Sequence, residues 1–328
     1  MVKDMKKITF VVLFSAAMLA IIAAPVQSFG APLDRAGLLK LADDYFAALV
    51  AHNPTAVPLA DNIKIVEQVK RIQPGDGLWK TATSVPTNFK IVIPDPVAQQ
   101  VGGIVIMGVN GKPAQLGFRL KMENDKITEA EHMIVEISNP DNPMLQTPRA
   151  AIPVEIPYEY RDSRGRLIWI AKSYYDALDL NNGSLAPFAS DCERRENGMR
   201  TAPFGGPSLG GVGIPGAKPG PPSLLGMQDC AAQLNTGTFQ YIDTIENRRV
   251  FAADEVTGLA VGFSHFHHSM NQKKFTILNV PGREESDMSN QKPFDMPAMH
   301  VYKIWGGQIH EIEAIGIMAD YNSPTGWE

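Results

Sequence analysis

Apolar residues recur at helical spacing twice in this chain, as Leu38, Leu41, Tyr45 and Leu49 and again as Leu167, Ile170, Tyr174 and Leu178. Residues three and four apart share one helix face, so each set predicts an amphipathic helix with a single buried stripe. A short second helix is expected after each, ending near Pro58 and Pro187. The spacing then changes to two. Ile63, Ile65 and Glu67 alternate with Asn62, Lys64 and Val66, and Cys192, Arg194 and Glu196 alternate with Asp191, Glu193 and Arg195. A strand presents alternate residues to one face, so Glu196 shares a face with Arg194, and Glu67 shares one with isoleucines. Further strand-like runs are expected at 89–93, 104–109 and 116–122, with turns at Asn110-Gly111 and Asn124-Asp125, and at 239–245, 259–266, 275–280 and 299–305.

These two sets of elements are also alike in letters. Residues 38–67 laid over 167–196 without a gap share nine of thirty positions, among them Tyr45/Tyr174, Asn53/Asn182, Pro58/Pro187 and Glu67/Glu196. Ordinary composition predicts about two matches. A second match, Lys126-Ile127-Thr128-Glu129-Ala130-Glu131 against Gln308-Ile309-His310-Glu311-Ile312-Glu313, is offset by 182 residues, whereas the first is offset by 129. The second copy therefore holds 53 extra residues, which fall in a Gly/Pro-rich stretch at 201–227 and a polar stretch at 269–296. Both compositions predict long loops. Residues 139–164 contain five prolines and little periodicity, and read as an ordered linker.

The expected fold class is α+β: two tandem units, each with N-terminal helices followed by strands, and the resemblance given below implies that these are cone-shaped domains with the helices packed on a curved, mostly antiparallel sheet. The divisions are a signal peptide at 1–28, a first unit at 33–138, the linker at 139–164 and a second, elaborated unit at 165–328. The signal peptide is expected because Lys3, Lys6 and Lys7 precede an apolar run and a small-residue exit at Pro25-Val26-Gln27-Ser28. It implies a secreted or periplasmic protein with no membrane attachment after cleavage. The net charge is -5, and the first 28 residues carry three lysines and one aspartate, so the remainder stands at -7. A mildly acidic chain without a basic block gives nucleic acid no footprint. The two cysteines, Cys192 and Cys230, are expected to pair as a disulfide in an oxidising compartment.

Two helices followed by a curved sheet resemble the nuclear-transport-factor-2-like (NTF2-like) fold, the group of ketosteroid isomerase and SnoaL-like polyketide cyclases. A second resemblance lies in Ser173-Tyr174-Tyr175-Asp176, in Cys192-Glu193-Arg194-Arg195-Glu196-Asn197-Gly198, in Cys230-Ala231-Ala232-Gln233-Leu234-Asn235 and in Asp254-Glu255-Val256-Thr257-Gly258. These strings are similar to a family of secreted fungal and bacterial proteins of unknown function, which carries no activity to transfer. NTF2-like units often pair through the outer faces of their sheets, so the resemblance implies a monomer whose two units pair within the chain.

A curved sheet encloses a largely apolar pocket in which a few polar groups decide the chemistry. On that basis the second unit is expected to take a small, partly apolar molecule, as a cofactor-independent lyase or isomerase working by carboxylate acid/base chemistry, or as a binding module without turnover. Glu196 is the expected acid/base, with Arg194 and Tyr241 stabilising charge and Asp254 and His265 as further catalytic candidates. Gln233, Arg248 and His267 are the expected ligand-binding residues. Arg248 and Arg249 are adjacent in sequence, so at most one of them enters the pocket. Glu67 is expected to be structural. His265 and His267 share a strand face and could hold a metal with Glu196 as third ligand. The carboxylate of a cupin pattern is absent, however, because Ser269-Met270-Asn271-Gln272 follows, and neither a metal nor a cofactor is expected. An ionised Glu196 locked to Arg194 would favour the binding module over the enzyme.

Overall fold

The computed structural model describes residues 31–203 and 228–328, and the expected signal peptide and most of the 201–227 insertion lie outside them. No helix among the described residues is long and apolar enough to cross a membrane. The first half contains α1 (Arg35–Val50), β1 (Leu59–Glu67), β2 (Lys70–Ile72), α2 (Leu78–Thr81), β3 (Ala82–Ser84), β4 (Lys90–Asp95), β5 (Gln100–Val109), β6 (Lys112–Glu123) and β7 (Lys126–Glu136). The second contains α3 (Arg164–Asp179), β8 (Phe188–Glu196), β9 (Met199–Ala202), α4 (Cys230–Asn235), β10 (Thr244–Asp254), β11 (Leu259–His268), β12 (Lys274–Thr276), β13 (Glu285–Asp287), β14 (Phe294–Trp305), β15 (Gln308–Gly316) and β16 (Ala319–Asp320).

The two large sheets have the same order. One runs β2-β1-β7-β6-β5-β3, with β4 also on β5, and the other runs β9-β8-β15-β14-β11-β10 with β16 on β14. In each, a single parallel pair joins the strand after the first helix to the last hairpin strand. Leu59 pairs with Ile127 and Lys64 with Glu129; Phe188 pairs with Ile309 and Glu193 with Glu311. These partners lie at the 129- and 182-residue offsets, and the same bulge interrupts both ladders. All other pairings are antiparallel.

The expected helices α1 and α3 form, and each lays its stripe on the concave face of its sheet. Asp34 caps α1 by accepting from the Gly37 amide. The expected second helix is in both units a single 3-10 turn, closed where Asn53 accepts from Thr55 N and Asn182 from Ser184 N. This local turn explains the shared asparagine. The 269–296 stretch, expected as a loop, carries the small β12–β13 hairpin, because Phe275, Ile277 and Val280 give it an apolar cluster of its own against Tyr241.

The convex faces of the two sheets pack on one another within the chain. Ile91, Ile93, Ile104 and Met133 of the first meet Phe251, Val261, Phe263, Met299 and Val301 of the second in one buried cluster. Two glycines allow the approach: a Cβ on Gly102 would sit 2.6 Å from the Phe251 ring, and one on Gly117 would sit 2.8 Å from Ile315. Half-buried ion pairs frame the contact. Arg249 forks onto Glu131, Arg164 Nε donates to Asp95, and Arg35 holds Asp254 at 2.8 Å. Residues of the 139–164 stretch are pinned as well. Ile152 enters the shared cluster, Arg149 lies among Glu193, Glu311 and Glu313, and Lys303 donates to the carbonyls of Ile152 and Val154.

Candidate functional site

Strand parity decides what the second cup contains. On β11, Ala260 and Phe266 belong to the interior cluster, whereas Val261 and Phe263 belong to the cluster between the sheets. Even positions of β11 therefore face the cup and odd positions face the first unit. On β14 the same split puts Ala298 and Tyr302 inside and Met299 and Val301 outside. On β8, Cys192, Arg194 and Glu196 face inward.

Behind the cup wall, Arg194 is fully buried. Its Nε donates to Thr201 Oγ1 at 2.9 Å and stands 3.0 Å from Glu196 Oε1, and Nη2 donates to Gln233 Oε1. The guanidinium carbon lies 5.3 Å from the centre of the Phe239 ring. Burial works against its charge, but the Tyr174 hydroxyl and Glu196 more than offset this and raise its pKa. Gln233 reaches Arg194 from α4, which the Cys192–Cys230 disulfide ties to β8.

In front of Arg194 lies a cavity of about 70 Å³, room for a few waters or the leading edge of a small ring. Its polar lining is Glu196, Asn197, Tyr174, Tyr241, His268 and His300, and its apolar walls include Phe239, Ile242, Phe266 and Met296. Tyr241 stacks on His268 at 5.6 Å, and His300 is surrounded by the rings of Tyr174, Tyr175, Phe266 and Tyr302. Burial drives His300 down to about 3 and His268 down to about 4, so both are neutral imidazoles in the working protein. His300 Nδ1 is buried without a hydrogen-bond partner. Burial raises the Tyr174 and Tyr241 hydroxyls, which stay protonated and can donate.

The first unit carries a variation on this arrangement. There Glu67 accepts from the Leu78 amide at 2.8 Å and meets His132 Nδ1 at 3.1 Å, and His132 Nε2 lies 3.0 Å from the Tyr45 hydroxyl. In both units, then, the repeated glutamate holds a basic group that faces the repeated helix tyrosine. Phe46, Trp79 and Phe118 fill the first interior around this chain, so Glu67 has the structural place expected of it.

Of the expected site residues, Glu196 and Tyr241 line the cavity and Arg194 backs it. Gln233 is not a lining residue: it is buried behind Arg194 and also donates to the Thr201 carbonyl. Arg248 does not line the cavity: it is held by Asp176 and Asp179 of α3. Asp254 is removed to the contact between the units, where Arg35 and Thr257 occupy it. His265 and His267 are at odd positions of β11 and face away from the cup, and Asp295, not Glu196, joins them. Tyr174, His268 and His300 also line the cavity, and no sequence motif marks them as site residues. Parity with Phe266 would have placed His268, and alternation within 299–305 would have placed His300 beside Tyr302.

The buried histidines make stability depend on pH. An unfolded histidine titrates at 6.5, above the folded values of about 4 and about 3, so stability from this source is present above pH 6.5 and is lost as pH falls toward 4. Glu313 acts in the opposite sense: burial pushes its carboxyl up from 4.5 to about 7, so its contribution is present below 4.5 and lost as pH rises through 7. His268→Phe, which keeps the stacking on Phe294 and Tyr241, is expected to flatten the acid limb of a melting-temperature profile between pH 6.5 and 4.5. A profile parallel to the parent's over that range would show that His268 is not held neutral.

A family model described as "Domain of unknown function (DUF8021)" matches residues 160–316. No curated protein matches the sequence. Among solved structures, an NTF2-like protein of unknown function from Cytophaga hutchinsonii is 16% identical, covers 30% of this chain and 88% of its own, and gives a TM-score of 0.25. An NTF2-like protein from Burkholderia thailandensis is 15% identical, with 46% and 89% covered and a TM-score of 0.27. An epoxide hydrolase/cyclase-like enzyme with a role in pyran ring formation in the polyether salinomycin is 12% identical, with 48% and 97% covered and a TM-score of 0.27. The element order argues the fold by itself: a helix on the concave face of a curved, mostly antiparallel sheet, closed by one parallel pair, occurs twice. This is the α+β architecture of two cone-shaped domains expected from the sequence.

Proposed function

We propose that the cup of the second unit binds a small, partly apolar molecule carrying a carbonyl or hydroxyl group, without turning it over. The observation that carries this reading is the state of Glu196. It reaches the cavity with its side chain 24% exposed, but it is held 3.0 Å from a fully buried arginine that is itself fixed by Thr201 and Gln233. A carboxylate so paired already has its partner, and it acts on a molecule in the cavity as part of a fixed dipole. Around it, tyrosine hydroxyls and neutral imidazoles offer hydrogen bonds to an uncharged oxygen, and aromatic walls take the apolar remainder.

Phenol and cyclohexanone are suitable probes of this pocket. Each is expected to bind weakly and to shift the ring signals of His268 and His300, whereas Ala298→Phe, which fills the cavity from β14, is expected to remove the shifts. Shifts that persist in the filled variant would place binding elsewhere. One observation favours catalysis, namely that Glu196 does reach the cavity. Exchange of the α-hydrogens of cyclohexanone in D2O distinguishes the readings: binding alone leaves the solution rate unchanged. Acceleration by the parent protein that is lost in Glu196→Asp, a change that keeps a charge beside Arg194, would establish proton transfer instead.

A further inference from the structure

His265, His267 and Asp295 converge on the convex side of the second sheet, away from the cup. We propose that these three residues bind one divalent transition-metal ion, with zinc as the ion they fit best. His267 on β11 is paired directly with Asp295 on β14, and His265 follows two residues back on the same face. One ligand atom from each lies within 4.8 Å of the others. The carboxylate already spans the two rings, with Oδ2 3.1 Å from His265 Nε2 and Oδ1 2.9 Å from His267 Nδ1. Zinc bonded to nitrogen and oxygen at about 2.0–2.1 Å separates tetrahedral ligand atoms by roughly 3.3 Å, so only small rotations of the rings are needed.

Charge supports the same conclusion. Asp295 is fully buried, and among the described residues no lysine or arginine pairs with it; its partners are the two imidazoles and Ser323. A buried carboxylate without a cation is costly, and a divalent ion removes the cost. Two imidazole nitrogens and one carboxylate oxygen select zinc and its neighbours over magnesium or calcium, which prefer all-oxygen sites.

Outer contacts suited to a metal are in place. The Ser323 amide donates to Asp295 Oδ2 at 2.9 Å, and the far nitrogen of His267, which makes no hydrogen bond, has the Glu246 carboxylate 3.7 Å away, near enough for a small rotation to make the contact that orients a metal-bound imidazole. Ser323 Oγ lies 3.3 Å from His265 Nε2 and 3.4 Å from Asp295 Oδ2, a polar neighbour to both ligand atoms. His265 also borders the narrow cleft between the two units, which gives an ion its route in.

The test uses the whole chain, stripped with a chelator and dialysed against zinc in the presence of excess magnesium. One zinc per chain is expected, with a higher melting temperature in zinc than in magnesium alone. His265→Gln and His267→Gln are expected to weaken binding at least about 100-fold and to abolish the zinc-dependent rise, while His310→Gln, at a histidine paired with Asp191, retains both. Cobalt in the parent protein is expected to give the intense visible bands of a four-coordinate site, a readout that no variant's folding can obscure. Absence of saturable zinc binding, or one zinc retained in the double histidine variant, would overturn the assignment. Either result leaves the cup's ligand binding unaffected, since the site is on the other face of the sheet.

Discussion

Glu196→Gln is expected to lower the unfolding free energy by about 3 kcal/mol, the cost of leaving one member of a buried ion pair without its partner. Arg194 is fully buried and Glu196 is the carboxylate paired with it, so glutamine leaves a buried cation facing only neutral groups. The lower end of the usual range applies because Glu196 itself is partly open to the cavity. Arg194→Met in the same background is expected to recover much of the loss, since removing both charges also removes the desolvation cost. Urea unfolding of the two single variants and the double variant measures the coupling. A loss below about 0.5 kcal/mol in Glu196→Gln, the level of a surface substitution, would mean that water screens the pair and that its place in the cup wall has been misread.

The second large effect concerns the disulfide. Cys192 and Cys230 are 38 residues apart, and a cross-link closing a loop of that length stabilises by about 4 kcal/mol through the entropy of the unfolded chain. Replacing both by serine is therefore expected to lower the melting temperature by about 10 °C. It should also weaken the site, because the bond holds α4, and with it Gln233, against Arg194. Melting in the presence and absence of reductant checks the stability change, and phenol binding checks the site. Equal melting temperatures under both conditions would show that packing of Leu234 and Phe239 alone fixes α4.

The architecture was largely legible in the sequence because it rests on periodicity and repetition. Leu167, Ile170, Tyr174 and Leu178 mark a helix stripe in any context, and the offsets of 129 and 182 residues make Phe188 and Ile309 the counterparts of Leu59 and Ile127, although only the structure pairs them. Arg194 and Glu196 could be placed together because they are two residues apart on one strand. What escaped was set by contacts between distant segments. Asp254 looks free in its turn, yet Arg35, 219 residues away, occupies it. His265 and His267 look like site residues until β11 is seen to be buried on both faces, one inside the cup and the other against the first unit. Their carboxylate comes from β14, 28 residues beyond His267, so no local motif could show it. Likewise the 269–296 stretch is mostly polar, and only the structure shows that Phe275, Ile277 and Val280 fold its hairpin onto Tyr241.

Native mass spectrometry of the protein purified from its producing cells, compared with Ala298→Phe prepared in the same way, tests ligand binding in the second cup most directly. A bound small molecule is expected on the parent chain, released on unfolding and missing from the filled variant. A parent chain that carries nothing, or a variant that carries the same mass, would show that the cavity framed by Glu196, Tyr241 and His300 is not a binding site.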